Sequence, residues 1–226
     1  MKSDRFKNLL WKSVDLLPVS IRLATRCQLI QYGLASFEDC WKNLAHIGPN
    51  SGTALDIGAN RGLYSYKLAK LYDKVIVFEP NRNVTGELLA ARSEKIDIHH
   101  IGLSNRTEDQ VMYIPKDRHA KSLDGWASLE PDSLPVGLGF GETIIPTKTL
   151  DSLALSNIRF IKMDVEGHEV NVVRGGLELL TREKPVVLAE VRMNNLKEFE
   201  DLMNQAGLKR QDNHPLTDEG MFLFAS

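Results

Sequence analysis

Cysteine is scarce in this chain: Cys27 and Cys40 are the two in 226 residues, with neither metal-ligand spacing nor the makings of a disulfide framework. That excludes a disulfide-stapled scaffold and suits packed thiols in a reducing, cytoplasmic setting. An excess of one charge is lacking too. Lys and Arg total 28 against 30 Asp and Glu, a net charge of −2, so no overall basic field argues for a nucleic-acid partner. A small acceptor fits better. No uninterrupted apolar run approaches the roughly 20 residues of a membrane-spanning helix, and the basic N-terminus also carries Asp4 and Asp15, so neither a span nor a signal peptide is read there. No internal repeat or low-complexity tract is visible. The length suits one α/β domain with a modest extension.

What the chain does have is a glycine-rich turn in the right place. Thr53-Ala-Leu-Asp56-Ile-Gly58-Ala-Asn60-Arg-Gly62 ends an apolar run and enters a helical pattern, the strand, loop and helix start of an open α/β sheet. A second apolar run, Val75-Ile-Val-Phe, ends in Glu79, 21 residues beyond Gly58. Such a glycine lets backbone approach a ligand, and an acid closing the next strand can accept hydrogen bonds from both hydroxyls of a ribose. The spacing discriminates between cofactors. A dinucleotide fingerprint wants glycine at the first, third and sixth positions, where this chain has Gly58, Asn60 and Leu63. An NAD-dependent oxidoreductase is therefore the weaker alternative. The pattern of S-adenosylmethionine enzymes is matched by Asp56, Gly58, Asn60 and Gly62. Asn tolerates positive φ best among non-glycine residues, which gives Asn60 a backbone reason, and Asp56 would sit near the amino group of the methionine part.

Along the chain, residues 1–50 read as a helical extension, with Phe6, Leu9, Leu10, Val14 and Leu17 at helical spacing, a break at Pro18 and a second helical stretch from about Val19 to Ile47. Lys2, Arg5, Lys7 and Lys12 accompany the first stripe, so peripheral membrane contact is conceivable, although such a stripe more often packs on its own domain. Residues 51–226 alternate strand and helix. Strands are expected at about 53–58, 75–79, 96–101, 159–165, 186–191 and 220–225, the last antiparallel after the turn Asp218-Glu-Gly220, with helices at about 62–72, 81–92, 168–181 and 194–206. From Val111 to Pro146 glycine and proline break the rhythm, and a long loop or lid is expected, with Trp126 to cover an acceptor.

Phe160-Ile-Lys162-Met-Asp164-Val-Glu166-Gly167-His168-Glu169 is the second informative stretch. A buried central strand should be apolar throughout, yet Lys162 and Asp164 interrupt this one on a shared face, with Glu166 next in the same alternation. Buried charges need partners or a ligand. They arrive, with His168, at the carboxyl end of a strand, where open sheets bind ligands. A structural lysine–acid network with His168 and Glu169 merely opening a helix is the plainer alternative.

Together with Thr149-Leu-Asp-Ser152, these segments resemble the FkbM-type methyltransferase family over roughly residues 52–210. The resemblance implies a Rossmann-like class I methyltransferase fold, α/β with a mostly parallel seven-stranded sheet and helices on both faces. It implies S-adenosyl-L-methionine as cofactor, held by Asp56, Gly58, Asn60, Gly62, Glu79, Leu103 and Ser104, and O-methylation of a sugar, glycan or natural-product hydroxyl. Where the family has a small-residue stretch after the third strand, this chain has Gly102-Leu-Ser-Asn-Arg-Thr-Glu108. Asp164 or His168 is the expected base, Lys162 would hold Asp164 charged, and Glu166 or Glu190 could orient the acceptor. No independent metal-ligand set is present, and a non-catalytic cofactor-binding scaffold remains the other class.

Overall fold

The structure, a computed structural model, describes residues 2–35, 37–211 and 220–226, with side chains from residue 6 onward. The expected stripe partners Lys2 and Arg5 and the turn residues 218–219 thus lie outside the described side chains. The helical segment comprises α1 (Lys2–Ser13), α2 (Val19–Gln31) and α3 (Asp39–Lys42), so the stretch expected to continue to Ile47 is broken at Tyr32 and Gly33. Then come β1 (Thr53–Ile57), α4 (Leu63–Leu71), β2 (Lys74–Phe78), α5 (Gly86–Ala90), β3 (Ile96–His99), β4 (Gly102–Leu103), β5 (Glu108–Lys116) and β6 (Gly139–Lys148). The chain continues through β7 (Ile158–Met163), α6 (Glu169–Arg174), α7 (Leu177–Glu183), β8 (Val186–Glu190), α8 (Leu196–Gln205), β9 (Lys209–Arg210) and β10 (Met221–Ala225).

Among the described residues, seven strands form one sheet in the order β3-β2-β1-β7-β8-β10-β9, parallel except for the last two, with β10 antiparallel to β8. The order reverses between β1 and β7, which opens a crevice at their carboxyl ends. Both faces are covered, so β1 and β7 read as apolar runs whose alternate residues feed opposite cores. Leu55, Ile57, Ile76, Phe78, Ile161 and Met163 pack against the α6–α8 side. Ala54, Val75, Val77 and Phe160 pack against α4 and the helical segment, whose Leu23, Ile30, Trp41 and Leu44 are buried there. The segment is also tied down electrostatically. Arg26, 1% exposed, pairs with buried Glu87 of α5 at 3.1 Å and with Asp15 at 2.5 Å, under the Trp11 ring at 4.5 Å. Phe6 and Leu9, by contrast, face solvent.

The 111–146 region departs from expectation. Its arms are strands, β5 and β6, paired antiparallel from Glu108↔Thr147 to Lys116↔Gly139, with β4 beside them in a second, three-stranded sheet. Only the tip, 117–138, lacks strands. Pro115 and Pro146 occupy strand positions in a small sheet with open edges, where a missing N–H is tolerated.

Candidate active site

At the carboxyl end of β1 the chain turns on Gly58, at φ +78°, and Asn60, at φ +50°. A Cβ on Gly58 would lie 1.8 Å from the Asp164 carbonyl oxygen, so the close approach of this turn to the end of β7 demands glycine. Glu79, closing β2, accepts the Asn60 N–H at 2.8 Å through Oε2 and the Asn81 N–H at 2.9 Å through Oε1. Burial pushes its carboxyl up to about 7 despite these two donors. Gly58, Asn60, Glu79, Leu103, Asp164, Glu166 and His168 line a common cavity with about 650 Å³ of atom-free space, part of it open to solvent.

The hairpin tip forms the cavity's outer wall. Gly125 lies where a Cβ would meet the Asn60 amide at 2.9 Å, the Asn81 amide donates to Asp124 at 3.2 Å, and the Ser128 hydroxyl donates to the Glu166 carbonyl at 2.8 Å. Trp126, half exposed, faces an outer groove with Arg61 and Val19 rather than this cavity.

A second pocket of about 550 Å³ shares Gly58, Asn60 and Asp164 with the first and continues to Asp56, Lys162, Tyr64, Glu38 and Phe37. Strand register places Asp56 opposite Lys162. Asp56 is fully buried, accepts the Ser65 hydroxyl proton, and is pushed up to about 6 by burial, against the pull of Ser65 and Lys162. Burial also opposes the Lys162 charge, but Asp164, Glu38, Asp56 and Glu190 outweigh it and raise its pKa. Its ammonium stands 3.5 Å from Asp164 and 4.8 Å above the Tyr64 ring.

The structure separates some expected partners. Glu166, at φ +53°, turns away from Lys162 and approaches Arg192 at 3.5 Å; burial and Asp164 push it up to about 7, as they do Glu190. His168 gives a geometry unlike that of a free base. Its Nδ1 faces Glu130 at 2.7 Å and its Nε2 faces the Ser104 hydroxyl at 2.9 Å, and burial lowers its pKa in spite of Glu130. A carboxylate only accepts, so Nδ1 carries the proton and Nε2 accepts from Ser104. Both nitrogens are engaged, and His168 bridges the hairpin tip to the turn after β4. Ser104 is fully buried behind it, whereas Leu103 reaches the cavity. Gly62, at φ +85°, packs under Leu88 of α5 instead of lining either space. Among the described residues, no group of three or more His, Cys, Asp or Glu is placed to hold a metal ion. Sequence reasoning missed Glu38, Phe37, Tyr64 and Glu130, which carry no local motif.

Residues 56–212 match the profile of the methyltransferase FkbM domain. The chain belongs to the FkbM methyltransferase domain family. Its fold is similar to that of methyltransferase FkbM from Methylobacillus flagellatus, with a TM-score of 0.57 and 14% identity over 96% of this chain and 58% of that one. The chain thus spans 58% of that protein's length. A TehB-like S-adenosylmethionine-dependent methyltransferase from Corynebacterium glutamicum superposes with TM-score 0.48 and 10% identity over 91% of this chain and 95% of that one. A Streptococcus mutans protein solved in complex with SAH gives 0.41 and 11% over 81% and 92%. No curated protein matches the chain in sequence. The FkbM match begins at Asp56 and leaves Phe37 and Glu38 outside it. Among the described residues of this family member, no helix is long and apolar enough to cross a membrane.

Proposed function

We propose that this FkbM-family chain binds S-adenosylmethionine and methylates a hydroxyl oxygen of a sugar, glycan or natural product. The observation that carries this reading is the 650 Å³ cavity at the strand reversal, in which a glycine without room for a Cβ, a buried carboxylate on two backbone N–H groups and the Asp164 side chain share one space. The cofactor fits that donor set. Each Glu79 oxygen has one lone pair taken by backbone and another left for a ribose hydroxyl, Gly58 and Asn60 would flank the amino-acid part, and Leu103 offers an apolar wall to the base. Asp56, turned to Ser65, organises the turn and the Lys162 charge from the second pocket. The bound cofactor would supply an electrophilic sulfonium methyl group, its carbon–sulfur bond breaking as a carbon–oxygen bond forms.

Asp164 is the group placed to receive the acceptor's hydroxyl proton, because it is half buried, reaches both pockets and pairs only loosely with Lys162. Lys162 steadies that carboxylate. His168, with both nitrogens occupied, positions the cavity wall through Ser104 and Glu130, and Glu166 holds Ser128 of the tip through its carbonyl. Thermal denaturation tests the cofactor: S-adenosylhomocysteine should raise the melting temperature by mass action and NAD should not. Equal stabilisation by NAD would defeat the reading. Mass spectrometry of sugar and polyketide alcohols incubated with S-adenosylmethionine tests the transfer.

A further inference from the structure

The second pocket shares Gly58, Asn60 and Asp164 with the first cavity but lacks Glu79, and continues instead to Asp56 and Lys162. A molecule there would meet Asp164 next to a cofactor in the first cavity. Its floor is the strand pair β1 and β7, and its rim is Phe37 and Glu38 from the helical segment, outside the family match.

Its chemistry is a mixture of donors and acceptors beside aromatic rings. Glu38 is half buried and accepts the Tyr64 phenol proton through Oε2, and Cys40 Sγ stands 3.0 Å from the same phenol, so the pocket-facing carboxylate is built in rather than trailing in solvent. Phe37 is braced edge-on by Trp41 at 6.0 Å and tilts towards Tyr64 at 6.0 Å. Lys162 is the sharper sign of a ligand. It is 1% exposed, yet its ammonium finds Asp164 and the Met163 carbonyl only at 3.5 Å each, longer than the ~2.7–3.2 Å of a formed N–H···O bond. The surrounding carboxylates and the Tyr64 ring offset the charge, but an ammonium has three donors, and their long contacts leave hydrogen-bonding capacity for an acceptor that enters the pocket.

Carboxylates only accept and the ammonium only donates, while a hydroxyl does both. An anion would face Glu38, Asp56 and Asp164 together, and a cation would compete with Lys162 and Arg61. A neutral ring bearing several hydroxyls satisfies the set, with its C–H face against Phe37. The pocket is open at its mouth, and its roughly 550 Å³ of atom-free space, the solvent side included, admits a ring the size of one monosaccharide unit.

We propose, resting on the methyltransferase reading above, that this pocket is the acceptor site, that it takes a neutral pyranoside, and that Phe37 and Glu38 determine its specificity. Saturation-transfer NMR tests this with methyl α-D-glucopyranoside, methyl α-D-mannopyranoside and methyl α-L-rhamnopyranoside against the full chain saturated with S-adenosylhomocysteine. At least one glycoside should show saturation transfer. Phe37→Ala should weaken its binding by about tenfold through the lost ring face, and Glu38→Gln by about three- to tenfold through the lost charged acceptor. Affinity for S-adenosylhomocysteine, measured calorimetrically, should change less than about twofold in both, as expected for a separate wall. If Glu38→Gln fails to fold, Phe37→Ala, whose ring is partly exposed, carries the test alone. Binding of S-adenosylhomocysteine without any glycoside overturns the pyranoside site and leaves the methyltransferase reading standing. Glycoside binding untouched by both substitutions places the site elsewhere. No binding of S-adenosylhomocysteine removes the reading itself, and the proposal with it.

Discussion

The two spaces that meet at Asp164 are built differently. The cavity beside Glu79 lies wholly inside the family match, where strand-end turns present Gly58, the backbone-held Glu79 and apolar side chains such as Leu103 and Met112. The pocket beside Lys162 is walled by side chains, two of them from the helical segment before the match begins. A wall built inside the shared domain suits a ligand common to the family, while side chains outside it can suit a molecule particular to this chain. On the function proposed above, the first would be a shared cofactor half and the second a chain-specific acceptor half.

The largest effect should come from Asp164, the charged residue common to both. Asp164→Asn should lower turnover by roughly 10²–10⁴, the range for a positioned base, while S-adenosylhomocysteine binds near the wild-type level in calorimetry. Turnover unchanged per folded molecule would make the lysine–acid pair structural. The next tests whether the helical half is integral to the fold. Arg26→Ala leaves buried Glu87 with only the exposed Arg61 guanidinium at 3.3 Å and should cost about 3 kcal/mol in denaturant unfolding, in one transition. Two separate transitions would show that the helices merely lean on the sheet.

Smaller effects belong to the cofactor half. Glu79→Ala should weaken S-adenosylhomocysteine binding by roughly 1.5–3 kcal/mol, the worth of hydrogen bonds to a charged acceptor, without altering glycoside binding. Weakening of both would blur the division. The last concerns pH. Burial holds the Glu79 carboxyl up to about 7, and ribose hydroxyls favour its ionised form, so S-adenosylhomocysteine affinity should rise as pH increases towards 7 and then level, by about tenfold per unit below it. Proton release measured in buffers of different ionisation enthalpy checks this, and a flat profile would refute it. The linked stability has the opposite sign. The folded pKa lies above the unfolded one near 4.5, so between about 4.5 and 7 the unfolded chain releases this proton first, and the ligand-free fold loses stability as pH rises. Glu79→Gln should reduce that slope.

Much of the crevice was legible. Asp56, Gly58, Asn60 and Glu79 announced themselves because a backbone at positive φ and an acid closing an apolar run leave local marks. The antiparallel final strand was visible in Met221-Phe-Leu-Phe for the same reason. The 108–148 hairpin was not, since its prolines and glycines signal a loop locally while cross-strand pairing, which is non-local, makes strands of the arms. His168 lay correctly at a helix start, but its engagement by Ser104 and Glu130, 64 and 38 residues away in sequence, could not be read from the helix.

The sequence by itself determined the alternation of strands and helices in the main sheet, the glycine turn after β1 and the presence of charges in a central strand, because periodicity, glycine and buried charge act over a few residues. Only the tertiary structure decided which side of β7 Lys162 serves, that the hairpin tip closes one cavity, and that Phe37 and Glu38 close another. A half-exposed phenylalanine and glutamate in a short helical segment look like any surface pair until packing against β1 and α4 sets them beside Tyr64 and Lys162. Side-chain partnership across the fold is a property of packing, and no local pattern encodes it.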